Sequence, residues 1–157
     1  MIEIEIPGRP EPLRLEHLVL DYNGTLAVDG EPVPGVKERL AALSGKLRVH
    51  IVTADTFGRV RSALEGTPCA ISILPPGEQD LGKLELVRGL GPARCVCVGN
   101  GNNDRLMLAE AALGIAVILA EGACARTMAA AEVVCTGILD ALALLENPLR
   151  LVATLRC

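Results

Sequence analysis

The stretch His17-Leu18-Val19-Leu20-Asp21-Tyr22-Asn23-Gly24-Thr25-Leu26 decides how the rest of the chain is read. A short apolar run that ends on an acid, followed by Gly and Thr, predicts a buried parallel strand. Its carboxylate then stands at the C-terminal end, where open α/β sheets place their ligands. Asp21 is therefore the first candidate for chemistry.

Outward from this stretch, apolar strands alternate with segments at helical spacing. Strands are predicted over 17–21, 47–52, 69–74, 94–98, 114–119 and 132–135. Helices are predicted between them over 35–44, 57–65, 80–89, 103–111 and 123–130, with two more over 137–155. This alternation predicts an α/β fold, a parallel sheet flanked by helices on both faces. Upstream, Ile2-Glu3-Ile4-Glu5-Ile6 alternates strictly, Pro7, Gly8, Pro10 and Pro12 turn the chain, and Leu13 to Glu16 is extended again. Residues 1–16 are thus expected to form an N-terminal β-hairpin on a single domain spanning 1–157, and a candidate oligomer contact.

Half of the 157 residues are hydrophobic, enough for a real core. Tyr22 and Phe57 are the only aromatic residues, so Leu, Val, Ile and Ala must build that core. The net charge of -4, without a long basic or acidic block, argues against nucleic acid or an anionic membrane surface as partner. No basic opening leads into a long apolar segment, and the richest run, Ala111 to Ala120, is about half of what a bilayer needs. A soluble, cytoplasmic protein is expected. The six cysteines include no Cys-x-x-Cys pair and sit mostly in apolar runs, as reduced core thiols do.

Two later strand ends carry polar residues as the first does. One finishes Thr53-Ala54-Asp55, and another finishes Val98-Gly99-Asn100-Gly101-Asn102-Asn103-Asp104 at the start of a helix. Lys83 lies early in the helical stretch after Pro75-Pro76-Gly77. Parallel strands bring such ends to one crevice. The set suits phosphoryl transfer: Asp21 can take a phosphoryl group as an aspartyl phosphate, dividing one difficult hydrolysis into two easier steps. Asp21 and Asp104 can supply oxygen ligands to Mg²⁺, Thr53 can donate to a phosphoryl oxygen, and Lys83 can neutralise charge on nucleophile and phosphate. Asp55 reads either as a substrate contact or as a turn or helix-cap residue, and Gly101 and Asn102 as turn formers. His17 and His50 show no partner spacing. Tyr22 is a candidate for the mouth of the site and Phe57 for the core.

Asp21-Tyr22-Asn23-Gly24-Thr25, Thr53, Lys83 and Gly99 to Asp104 resemble the four motifs of the haloacid dehalogenase superfamily, over roughly residues 17–145. Within it, Asp-x-x-Gly-Thr, Thr-Ala-Asp and Gly-x-Gly-x-Asn-Asp look most like the phosphorylation domain of P-type ATPases. They match best the small, free-standing group of soluble P-type ATPase-like proteins. The resemblance implies a Rossmann-like fold, Mg²⁺ as cofactor, and a small phosphorylated molecule or acyl phosphate as substrate. It implies Asp21, Asn23, Thr53 and Lys83 as the catalytic set. Gly24, Thr53, Ala54, Lys83 and Asn103 would bind phosphate, and Asp21, the Asn23 backbone carbonyl, Asn100 and Asp104 would hold the metal.

The intervals between motifs leave no room for a nucleotide-binding domain or a cap domain, so ion pumping is excluded and the site is expected to be open. Related capless enzymes act on large substrates or let a neighbouring subunit cover the site, and a homo-oligomer is expected on that ground. Two residues depart from the family pattern. Asn23 stands where family phosphatases carry a second Asp as acid and base, and a carboxamide cannot donate and retrieve a proton, so slow turnover is expected. Asn100 stands where the last motif has its first Asp, which should weaken Mg²⁺ binding. A non-catalytic phosphate-binding or regulatory protein is the alternative.

Overall fold

All four residues of the strand leading to Asp21 are buried, as a strand covered on both faces must be. The computed structural model describes residues 1–157. The chain opens with β1 (Ile2–Ile4), β2 (Leu13–Leu15) and β3 (His17–Leu20), then the short β4 (Ala27–Val28) and β5 (Glu31–Pro32). Next come α1 (Val36–Ser44), β6 (Arg48–Thr53), α2 (Val60–Ala63), β7 (Ala70–Ile73) and α3 (Gln79–Leu90). The remainder is β8 (Cys95–Gly99), α4 (Arg105–Glu110), β9 (Leu113–Val117), α5 (Ala125–Ala130), β10 (Val133–Cys135), α6 (Ile138–Glu146) and α7 (Pro148–Leu155).

The main sheet has the order β10-β9-β8-β3-β6-β7, with every neighbouring pair parallel. From β3 the chain builds outward through β6 and β7, then crosses back to lay β8, β9 and β10 on the other side. The order therefore reverses at β3 and β8, which is where such sheets open a crevice. Successive residues face opposite layers. Leu18, Leu20, Val49, Ile51, Val96 and Val98 pack with Val36, Leu40 and Leu43 of α1 and with Ile138, Leu142 and Leu145 of α6. Val19, Val52, Cys95, Cys97 and Ala116 pack with Val87 of α3 and Met107 and Leu108 of α4. This is the expected Rossmann-like sheet with helices on both faces and no cap domain.

The N-terminal hairpin forms as expected, β1 and β2 pairing antiparallel with Ile2 opposite Leu15 and Ile4 opposite Leu13. Those four side chains join the larger core, so the apolar face of the hairpin is used within the chain.

Three expectations need adjustment. The helix predicted over 57–65 shrinks to Val60–Ala63, because Asp55 (φ 50°) and Gly58 (φ 65°) first make a left-handed turn. Asp55 then caps the helix, its Oδ1 accepting from the backbone N–H groups of Arg59 and Val60 at 2.9 and 3.1 Å. The loop after Thr25 contains the β4–β5 hairpin, whose two-residue strands are too short to show a period in sequence. Finally, the two aromatic residues exchange their expected places. Tyr22 is buried, and its hydroxyl donates to the Gly30 carbonyl at 3.0 Å. Phe57 is about half exposed and packs over Gly30 at the hairpin tip.

All six cysteines are free thiols, and no helix is long and apolar enough to cross a membrane. His17 and His50, which have no partner spacing in sequence, meet across β3 and β6. The parallel register brings Nδ1 of His17 to 3.1 Å from Nε2 of His50. Only one of the two nitrogens can carry the shared proton, so the pair fits neutral rings. Burial lowers both pKa values; Arg48 adds to this for each ring, and His17 adds to it for His50. The unfolded chain then binds protons more readily than the folded one below the ordinary histidine value of about 6.5, and stability falls as pH drops from there. Urea unfolding at pH 7.5 and 5.5 is expected to show a lower midpoint in acid, with a smaller drop for His50→Gln. An equal drop in both proteins would remove the pair as its cause.

Candidate active site

Because β3, β6 and β8 run parallel and side by side, Asp21, Thr53 and Asn100 arrive at one edge of the sheet. After Asp21 the backbone folds back sharply, the Tyr22 carbonyl accepting from the N–H groups of Thr25, Leu26 and Ala27. Gly24 makes this possible: its φ is 78°, and a Cβ there would lie 2.3 Å from Nδ2 of Asn100. The turn aims Thr25 inward. Its buried hydroxyl lies 3.3 Å from Oδ2 of Asp21 and 3.2 Å from Oδ1 of Asn100, and its one hydrogen can serve either.

The turn after β8 is organised by Asp104. Its Oδ2 accepts from the backbone N–H groups of Asn100 and Gly101 at 2.9 and 2.8 Å. The carboxylate lies so close to the strand that a Cβ on Gly99 would come within 2.5 Å of the Asp104 Cγ. Its Oδ1 accepts from the Lys83 ammonium at 2.6 Å. Lys83 reaches in from α3, is fully buried, and also donates to Oδ1 of Asp21 at 2.6 Å. One ammonium is thus shared between two carboxylates. Burial alone would lower the Lys83 pKa, but Asp21 and Asp104 together hold it above the ordinary lysine value. Burial, and then the charge of Asp104, raise Asp21 to about 7 against the pull of Lys83.

Above this triad lies a cavity of about 230 Å³. Of the residues expected in the site, Asp21, Asn23, Thr53, Ala54, Asn100 and Asn103 line it. Lys83 and Asp104 lie beneath it, fully buried, and Gly24 shapes the turn behind it. The Thr53 hydroxyl oxygen accepts from the Asp55 N–H at 3.0 Å, which leaves its own hydrogen for the cavity. Asn103 donates to the Gln79 side-chain oxygen at 3.1 Å. Asn100 donates through Nδ2 to the Gly122 carbonyl at 3.0 Å, and its Oδ1 faces the Thr25 hydroxyl. The side-chain oxygen of Asn23 is buried without a partner.

Asp104 serves as a cap for the turn that opens the following helix. Both of its oxygens are already engaged, one by the ammonium and the other by two backbone N–H groups. Oxygen donors of the kind Mg²⁺ takes are nevertheless at hand: Asp21 Oδ2 and Asn100 Oδ1 both lie within reach of the Thr25 hydroxyl, and the Asn23 backbone carbonyl accepts no hydrogen bond from the chain. No group of three or more His, Cys, Asp or Glu side chains is placed to hold a metal, and a cation here would meet one carboxylate and neutral oxygens. Such a set suits a Mg²⁺ ion that completes its shell with water and substrate phosphate.

Three residues of the cavity wall escape the sequence reading, Thr56, Gln79 and Glu121, while Thr25 stands in the first motif without an assigned role. Glu121 has a weaker signal: it is the first acid after the apolar run Ala111 to Ala120. Ile118, Leu119 and Ala120 separate it from the end of β9, unlike Asp21, Thr53 and Asn100, which stand at or directly after their strand ends. Oε1 of Glu121 accepts from the Asp29 N–H at 2.9 Å, tying the tip of the β4–β5 hairpin across the site.

No family model matches the chain. It is 42% identical over 84 residues to the uncharacterised protein MJ0073 of Methanocaldococcus jannaschii, a match covering 51% of this chain and 90% of that protein. It is 49% identical over 39 residues to MJ0072 of the same organism, covering 25% and 89%. Among solved structures, it is similar to 3-deoxy-D-manno-octulosonate 8-phosphate phosphatase from Moraxella catarrhalis in complex with magnesium, phosphate and sugar. The TM-score is 0.71 at 19% identity, over 92% of this chain and 95% of that one. The cobalt-bound phosphatase of the same specificity from Haemophilus influenzae gives a TM-score of 0.61 at 14% identity, over 79% of each chain. BT1666 from Bacteroides thetaiotaomicron, a phosphatase of the haloacid dehalogenase superfamily, gives 0.59 at 12%, over 96% and 99%.

Proposed function

From a chain that belongs to the family of MJ0073 and MJ0072 and has the haloacid dehalogenase fold, we propose a Mg²⁺-dependent phosphohydrolase or phosphotransferase. It acts on a small phosphorylated molecule or acyl phosphate through an aspartyl phosphate on Asp21. We assign the closer kinship with P-type ATPase phosphorylation domains on the motifs alone. One observation carries the reading: Asp21 sits at the strand-order reversal with one oxygen held by buried Lys83 while the carboxylate faces a polar cavity.

In this reading Lys83 orients Asp21 and offsets charge as the phosphoryl group arrives. Thr53 donates its free hydroxyl hydrogen to a phosphoryl oxygen, with the backbone at Ala54 beside it. Gly24 keeps the backbone turn clear of Asn100, and Asn103 adds a polar wall. Asp104 fixes Lys83 and the turn bearing Asn100. Asp21, the Asn23 carbonyl and Asn100 would hold Mg²⁺, whose positive charge would favour the carboxylate form of Asp21 and balance the phosphoryl oxygens. A second reading, a phosphate-binding regulatory protein, is favoured by the neutral side chains at Asn23 and Asn100, which cost the site a proton carrier and a metal charge.

Exposure to acetyl phosphate and Mg²⁺, followed by borohydride reduction, separates the two. Conversion of Asp21 to homoserine, with phosphate release that needs the metal, is the expected result. Phosphate binding without a reducible acyl phosphate would select the regulatory reading.

A further inference from the structure

Asp21 and Glu121 are the two carboxylates that line the cavity. Asp104 lies beneath it with both oxygens engaged, and Asn23, on the wall, has a carboxamide that cannot accept a proton from water at neutral pH. If Asp21 becomes the phosphoryl carrier, Glu121 is the carboxylate left to serve the second half of the reaction. Its placement is defined: Oε1 is held by the Asp29 N–H at 2.9 Å, at a hairpin tip where Asp29 is itself fixed in a left-handed turn at φ 52°. The tip is held from the other side by the Tyr22 hydroxyl on Gly30 and by an ion pair between Arg59 and Glu31 at 2.8 Å. Oε2 of Glu121 has no partner in the chain.

We infer that Glu121 is the general base of dephosphorylation, doing from the cavity wall what Asn23 cannot do. This rests on the aspartyl-phosphate reading above. A water oxygen attacks phosphorus, and the bond between phosphorus and the Asp21 oxygen breaks. Its electron pair returns to Asp21 as carboxylate, and the water proton passes to Glu121 and then to solvent. The products are inorganic phosphate and the starting enzyme. The other half of the reaction needs no help from Glu121 when the leaving group is weakly basic, as acetate is.

Glu121→Gln isolates the proton role, because the carboxamide oxygen still accepts from the Asp29 N–H and keeps the hairpin tip in place. The chain is loaded with acetyl phosphate and Mg²⁺, the donor is removed, and the decay of the acyl phosphate on Asp21 is followed. Glu121→Gln is expected to load at about the wild-type rate and to lose phosphate on the order of 10²-fold more slowly. Glu121→Ala should behave likewise and recover speed with added formate. Decay of Glu121→Gln at the wild-type rate overturns the inference while leaving the aspartyl phosphate intact. Equal slowing of loading and decay also overturns it, since that is what a strap for the hairpin would give. A wild-type chain that never loads removes the aspartyl-phosphate reading, and this inference with it.

Discussion

Lys83→Met is expected to destabilise the fold by about 3–5 kcal/mol, the cost of leaving buried charge without its partner. The size follows from the geometry. Lys83 is fully buried and donates to Asp21 and Asp104 at 2.6 Å each, so its removal leaves two carboxylates facing one another with no cation between them. Methionine fills the aliphatic path of the lysine well, which confines the loss to the charge. Adding Asp104→Asn to Lys83→Met should restore a substantial part of the stability, because the charge repulsion between the two side chains is removed and the residues share one network. Urea unfolding at neutral pH measures both. A loss below about 1 kcal/mol for Lys83→Met, in the range of an exposed pair, would show that water reaches the triad and screens it.

Asp21→Asn is expected to lower metal-dependent phosphate release by a factor on the order of 10⁴, the scale of losing a nucleophile. The fold should be kept. Asparagine is isosteric, its oxygen still accepts from Lys83, and the buried site then holds one ammonium and one carboxylate. The side chain can no longer form an acyl phosphate, so both release and borohydride-trapped product should vanish together while the unfolding midpoint stays at or above that of wild type. Release within about tenfold of wild type would mean that another group carries the phosphoryl transfer. A lowered midpoint would mean instead that Asp21 holds the fold together, which its raised pKa argues against: burial and Asp104 both disfavour its charge.

These two residues illustrate how much of the site could be read early. Asp21 ends an apolar run, and that local pattern places it at the edge of a parallel sheet. Lys83 is different, because a lysine on an amphipathic helix is ordinarily solvated. The motif resemblance pointed to it, but its burial comes from α3 lying beside α4 with Val87 in the layer that holds Val19 and Cys97, which brings the ammonium to Asp21, 62 residues away in the chain. Asp104 shows the reverse. It reads as a metal ligand in sequence, yet the backbone of Asn100 and Gly101 turns two N–H groups onto it, and hydrogen-bond satisfaction of a buried turn takes up its oxygens.

By itself the sequence determined the six strands, their parallel character and the helices between them, because each is a periodic pattern of apolar residues within a short window. It also marked Asp21, Thr53 and Asn100, since polar residues at strand ends need no knowledge of distant contacts. Tertiary structure alone decided what depends on register and packing between distant segments. That includes the His17–His50 pair, joined only by how β3 lies beside β6, and the β4–β5 hairpin, too short to carry a period. It includes the exchange of places between Tyr22 and Phe57. It also includes Glu121, tied to Asp29 at the cavity wall, because a hydrogen bond between residues 29 and 121 exists only once the sheet has brought its strand ends together.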